Sequence, residues 1–122
     1  MAKNQHFFNR LKTAFFGLAV ALKEEKNFKI QFAIGIAVVF FMIIFGLSSI
    51  EKSILILTIV VVLGLELINS QIEKFLDVIQ PDHHLAVKRI KDFSAGTVLL
   101  LTIGSVVVGI LIFLPHLNVL RP

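Results

Sequence analysis

Cysteine is absent from this chain, which excludes disulfides, thiolate nucleophiles and every metal site built on sulfur. Charge is scarce as well. Asp, Glu, Lys and Arg make up 16% of the 122 residues, where a soluble domain carries about a quarter. Internal repeats, low-complexity tracts and linkers are also missing. The first thirty residues lack a small-residue cleavage site and a compact apolar core behind a basic start, so no secretory signal is expected there. Apolar residues fill the space left by these absences: 57% of the chain is hydrophobic and the mean hydropathy is +0.91. One domain of this length is too small to hide so much apolar surface in a water-facing core. The composition predicts an integral membrane protein.

Three membrane spans are expected within a single domain covering residues 1–122. Ile30 to Ile50 is free of charged residues and reaches the ~20 residues that a spanning helix needs. The second span runs from Ser53 to about Ile79. The third occupies about 91–114, with a charge-free run from Phe93 to Leu114 that Pro115 stops. Glu51 and Lys52 leave room for no more than a tight hairpin between the first two. Gln80 to about Ala86, with Pro81, Asp82 and the pair His83-His84, reads as a surface turn. Ahead of these spans, over about residues 4–26, Phe8, Leu11, Phe15, Leu18 and Leu22 recur at three and four residues to form one apolar stripe. Arg10, Lys12, Thr13 and Lys23 lie mostly off it. That pattern predicts an amphipathic helix lying in the membrane interface, or alternatively a helix packed on a protein partner. The expected fold class is therefore all-α: three transmembrane helices plus an N-terminal surface helix.

The formal net charge of +4 suggests nucleic acid only while its placement is ignored. Lys3, Arg10, Lys12, Lys23, Lys26 and Lys29 precede the first span. Lys74, Lys88, Arg89 and Lys91 lie around the connection between the second and third, while Lys52 and Arg121 fall on the opposite side. This asymmetry puts the N-terminus and the 80–86 turn in the cytoplasm and the C-terminus outside. No nucleic-acid partner is implied.

Several soluble-enzyme chemistries lack the residues they need. Gly46 to Ser53 approaches a phosphate-binding loop, but Glu51 stands where the second glycine belongs, and a carboxylate there repels phosphate. His83 and His84 have no third histidine nearby and no cysteine to complete a zinc set. Ser70, Ser94 and Ser105 have no supporting His–Asp pairing for nucleophilic catalysis.

The chemistry is concentrated in Glu66-Leu67-Ile68-Asn69-Ser70-Gln71-Ile72-Glu73, a doubly acidic segment that follows an uninterrupted apolar run from Ser53 to Leu65. An ionised group inside a bilayer is costly, so its presence is a functional signal. At ~100° per residue, Glu66, Asn69, Glu73 and Asp77 fall within roughly a third of the helix circumference. Carboxylates supply the hard oxygens that magnesium prefers, and magnesium commonly takes one or two of them together with nucleotide phosphates. A lysine such as Lys91 would supply fixed positive charge to a transferring group. The deeper Glu66 would then act as a base toward a hydroxyl delivered from the lipid side. Two other readings stand beside this one: an ion-coupled transporter that uses Glu66, and an oligomer whose polar face only bonds helices together.

At these residues the chain resembles the bacterial diacylglycerol kinase family, which includes undecaprenol kinases of similar size. The likeness is carried by Glu66-x-x-Asn69-Ser70-x-Ile72-Glu73-x-x-x-Asp77 and Lys91-Asp92-x-Ser94-Ala95-Gly96. It extends through Arg10-x-Lys12-x-Ala14-x-x-Gly17, Glu25-Lys26-Asn27-Phe28, Pro81-x-His83-His84 and the ending Gly109 to Pro115. Gln71 departs from it, standing where the motif usually has alanine, and Lys29-Ile30-Gln31 departs before the first span.

The resemblance implies a homotrimer in the bacterial inner membrane with active sites shared between neighbouring subunits. It implies an enzyme that moves the γ-phosphate of Mg-ATP to the hydroxyl of a membrane lipid, undecaprenol or diacylglycerol. Carried over position by position, Glu66 matches the catalytic base and, with Ala95, the lipid-binding positions. Glu25 and Glu73 match the Mg2+ ligands. Glu25, Asn69, Glu73, Asp82, His83, His84, Lys91 and Asp92 match positions at the nucleotide.

Overall fold

Each helix boundary has a local cause. The computed structural model describes residues 2–80, 82 and 84–120, with the side chains of 2, 119 and 120 left aside. Helix α1 (Ala2–Glu24) gives way to α2 (Lys26–Ile44) through one residue, Glu25, at φ −95° and ψ 106°. Neither glycine nor proline marks this break. The Glu25 backbone serves both helices: its N–H donates to the Ala21 carbonyl at 2.8 Å, and its own carbonyl accepts from the Lys29 N–H at 3.0 Å. Its side chain makes no capping bond and is free for other partners.

The far end of α2 closes with a Schellman turn. Gly46 sits at φ +61°, a left-handed conformation that costs a residue with a Cβ about 1–2 kcal/mol. Its N–H donates to Ile43 at 3.3 Å, and the Leu47 N–H donates to Met42 at 3.5 Å, which are the two bonds of that motif. The accompanying apolar contact is present too, since Met42 and Leu47 are both buried in one cluster with Leu55 and Ile112. Two residues later, α3 (Ser49–Ile79) opens with a capping box. The Glu51 N–H donates to Ser48 Oγ at 3.2 Å and the Ser48 N–H donates to Glu51 Oε1 at 3.0 Å. Glu51, the residue that argues against a phosphate loop, is thus a helix cap.

Helix α4 (Leu85–Phe113) begins at His84, whose Nδ1 accepts from the Ala86 N–H at 3.2 Å. It ends just before Pro115, which has no N–H to donate to the Leu111 carbonyl, and the chain continues as a 3₁₀ segment, Leu114–Leu120. There His116 Nε2 lies 3.0 Å from Glu51 Oε2, joining the chain's last helical turn to the start of α3. Phe45 and Phe113 meet edge-on at 5.8 Å beside the same cluster.

The chain therefore runs as an interrupted helix followed by two long antiparallel ones, with α3 packed on both α2 and α4 and α1 against α2. Three of the helices are long and apolar enough to cross a membrane, and no strand occurs among the described residues. This is the expected all-α class of three spans and an additional N-terminal helix. The boundaries differ from the apolar runs: α2 starts at Lys26 and ends at Ile44, six residues before Ile50, so the turn precedes Ser49 and Glu51-Lys52 lie inside α3, while α4 starts at Leu85. A helix continues into water once its backbone bonds are formed, so charged flanks do not end it.

Packing within one chain is sparse. Gly35 is buried where α2 meets α3, and a Cβ added there would lie 3.0 Å from Ile59 Cγ2, so only glycine allows this approach without a shift. Most other large apolar side chains, among them Phe40, Leu57, Leu100 and Leu111, face outward. Exposed apolar surface on this scale belongs in lipid or against a partner.

Candidate active site

Burial singles out the residues that the sequence motif indicates. Among the described residues, Glu66 and Asn69 are the only buried polar or charged side chains, at 4% and 8% exposure. Both project from α3. Glu66, Asn69 and Glu73 line one cavity, with Asn27 and Gln31 of α2 and Ala95 and Thr102 of α4 completing its wall. The apolar residues Ile30, Val98 and Leu99 share the lining. A carboxylate thus opens into a chamber with polar groups on three helices and hydrocarbon between them. Glu73 shares that lining, and Glu25 is a second carboxylate that acts electrostatically on Glu66.

Glu25 lies at the α1–α2 break, where Lys74 holds its carboxylate in an ion pair. It lines a neighbouring cleft with Gly17, Ser70, Gln71 and Lys74. Gln71, the departure from the family pattern, therefore faces the α1 side of α3 and not the chamber of Glu66. On the other side of α3, Asp82, His84 and Lys91 share a third cleft with Asp77, Gln80 and Lys88. Lys91 Nζ donates to Asp77 Oδ1 at 2.5 Å. The residues expected at the nucleotide thus fall into separate clefts around α3 within one chain. Asp92 is exposed one residue beyond Lys91. His83 lies outside the described residues.

Two pairings escape a reading by motif alone. Lys74 is adjacent to Glu73 in sequence, yet it turns to Glu25 nearly fifty positions earlier, and no spacing rule relates them. Ser94 donates to Asn69 Oδ1 at 2.6 Å across the α3–α4 interface. Its position three residues after Lys91 places both on one face of α4, and that spacing is the signal that could have indicated it.

A magnesium ion can be tested against these donors. Among the described residues, no three His, Asp or Glu side chains gather tightly enough to cage an ion. Glu66 and Glu73 line the chamber and Glu25 the neighbouring cleft, a sparse set of carboxylates that fits a hard cation taking one or two protein oxygens and completing its shell with phosphate and water. It does not fit a soft or fully enclosed metal.

A polytopic α-helical membrane protein with an acidic chamber opening between its spans is the class that fold and site define. Comparison with known proteins identifies the chemistry. The model of the prokaryotic diacylglycerol kinase family matches residues 12–113, and the chain belongs to that family. It is 37% identical over 111 residues to the undecaprenol kinase of Bacillus subtilis, covering 91% of this chain and 90% of that protein. It is 35% identical over 105 residues to a diacylglycerol kinase of Synechocystis, covering 85% of this chain and 60% of that protein. It is 31% identical over 110 residues to the diacylglycerol kinase of Haemophilus influenzae, covering 88% and 93%. The protein is a lipid kinase, a membrane-bound transferase, which sets aside the transporter and the purely structural oligomer.

Proposed function

We propose that the protein transfers the γ-phosphoryl group of Mg-ATP to the terminal hydroxyl of undecaprenol. The observation that carries this reading is the buried Glu66 carboxylate, opening into a chamber walled by both polar and hydrocarbon groups. Such a chamber suits an alcohol on a lipid tail approaching a water-soluble donor. The choice of acceptor follows the Bacillus subtilis undecaprenol kinase, 37% identical against 31% for the Haemophilus influenzae diacylglycerol kinase at similar coverage.

In the proposed reaction the lipid oxygen attacks the γ-phosphorus as the bond to the β,γ-bridging oxygen breaks. ADP departs, and the hydroxyl proton passes to the Glu66 carboxylate. Little covalent assistance is needed in a loose phosphoryl-transfer transition state, so positioning and charge dominate. Glu73 and Glu25 hold the metal, which neutralises charge on the phosphates when bound. Asn69 donates from its amide to the phosphoryl oxygens. Lys91, Asp92, Asp82, His83 and His84 bind the remainder of the nucleotide, and Ala95 leaves space for the lipid head.

The scatter of these residues over separate clefts of one chain supports an active site completed by a neighbouring subunit, and the exposed apolar faces support a homotrimer that covers them. The whole chain acts as one membrane domain. Ten of the twelve Lys and Arg residues precede the first span or flank the connection between the second and third, which supports a multi-pass protein of the bacterial cell membrane with its N-terminus and site in the cytoplasm.

The test is phosphate transfer from radiolabelled ATP to undecaprenol and to diacylglycerol, each in mixed micelles with the purified protein. A kcat/KM at least tenfold higher for undecaprenol is the expected result. Preference for diacylglycerol would overturn the assignment of acceptor.

A further inference from the structure

Six hydroxyl side chains on the helices of this protein follow one habit. Thr13, Ser53, Thr58, Thr97 and Thr102 each donate to the carbonyl four residues back in their own helix, and Ser105 donates to the one three back. This is the default for a hydroxyl within a helix, because the acceptor is always in reach. Ser94 departs from it. Its Oγ donates 2.6 Å across to Asn69 Oδ1, linking α4 to one of the two buried polar side chains of α3.

Asn69 stands between two cavities of opposite character. On one side, shared with Ser94, the walls are Leu65, Ile68, Ile72, Phe93 and other apolar groups. On the other lie Glu66 and Glu73. An amide has a carbonyl end that accepts and an NH2 end that donates twice. With Oδ1 held by Ser94, the NH2 end is the one left for the cavity that Asn69 shares with the acids. The electrostatics agree independently, because carboxylates attract the NH2 dipole and repel the carbonyl. Without the Ser94 hydroxyl, the carbonyl end would be left partly buried with no donor, and the amide would lose the contact that fixes its direction.

We propose that Ser94 is a positioning residue for phosphoryl transfer, holding the Asn69 amide so that its two N–H donors point into the Glu66–Glu73 chamber. This rests on the placement of Asn69 at the reacting phosphate proposed above. Ser94 itself touches neither substrate; it acts through Asn69. Preorganised donors favour the transition state more than the ground state, so its loss is read in kcat and leaves the KM for ATP nearly constant.

The experiment compares Ser94→Ala, Ser94→Thr, Asn69→Ala and the Ser94→Ala/Asn69→Ala double variant in the full-length protein. Turnover, KM for ATP and the thermal transition are measured in the same detergent. Alanine fits the helix at least as well as serine, and the apolar cavity beside Ser94 has room for the methyl group of threonine. The expected results are a fall of about 3- to 10-fold in kcat for Ser94→Ala, recovery to within about twofold in Ser94→Thr, and a double variant no slower than Asn69→Ala alone. The last result is decisive for action through Asn69, since a serine acting independently would slow the enzyme by the same factor whether or not Asn69 is present. A fall in kcat with the thermal transition and KM retained separates positioning from a structural role. An additive double variant overturns the proposal, as does parental turnover in Ser94→Ala while Asn69→Ala is impaired; the site assignment survives both. Parental turnover in Asn69→Ala overturns the site assignment and this proposal together. Should Ser94→Ala lose its thermal transition, Ser94→Cys, close in size and a weaker donor, takes its place with an intermediate kcat expected.

Discussion

Replacing Glu66 by glutamine removes one proton acceptor while keeping shape and hydrogen-bonding capacity. The side chain is 4% exposed and forms part of the chamber wall, so a shorter residue would confound chemistry with a cavity. Glutamine avoids this. It also leaves no buried charge stranded, because the charged groups acting on Glu66 are the like-charged Glu73 and Glu25. Removing a carboxylate that forms no ion pair among the described residues leaves no partner unpaired, and the thermal transition should stay level.

The catalytic loss follows from the role assigned. General-base assistance contributes roughly 10²–10⁴ in rate, or about 3–5 kcal/mol at 1.36 kcal/mol per decade. The lower half of that range is expected here, because little proton transfer has occurred when a loose phosphoryl-transfer transition state is reached. Nucleotide binding should be unchanged or slightly tighter, since one negative charge near the phosphates is gone. The assay is steady-state phosphorylation of lipid beside a nucleotide titration on the same preparation. Turnover within threefold of the parent would refute the base assignment. Loss of the oligomer with loss of turnover would instead make Glu66 a packing residue.

Glu25→Gln and Glu73→Gln should each raise the magnesium concentration for half-maximal turnover several-fold or abolish turnover; unchanged magnesium dependence in both would remove them as ligands. Ser48→Ala breaks the capping box at the opposite end of the bundle, so it should cost about 1 kcal/mol of stability, seen as a lower thermal midpoint in detergent with turnover of the folded protein retained. Reporter fusions should place the N-terminus in the cytoplasm and the C-terminus outside; a cytoplasmic C-terminal reporter would exclude three spans.

Much of the site is legible along the chain because it lies on one helix. Glu66, Asn69 and Glu73 share a face through spacing alone, and no tertiary contact is needed to align them. The Ser48–Glu51 capping box is equally local, yet its glutamate invites reading as a spoiled phosphate loop until the hydrogen bonds are seen. His84 suggests a ligand by its chemistry, while its Nδ1 caps α4. The break at Glu25 is marked in the sequence only by the passage from an amphipathic stripe to a charge-free run a few residues later. Neither Gly nor Pro interrupts the helical pattern there, and the turn exists because α1 and α2 leave that point in different directions, with the freed carboxylate meeting Lys74.

The sequence by itself determined the class of protein, the number of spans and the acidic face, because these depend on hydrophobicity and on a helical period that each residue obeys locally. It also determined the family, through polar residues kept in order within apolar helices. Only the tertiary structure decided which charges are paired, which carboxylates open into one chamber, and which way the Asn69 amide points. Those depend on distances between helices far apart in sequence, Glu25 to Lys74 and Asn69 to Ser94. No periodicity within one helix encodes the rotation of its neighbour; packing sets that rotation, and with it the partner each polar group finds.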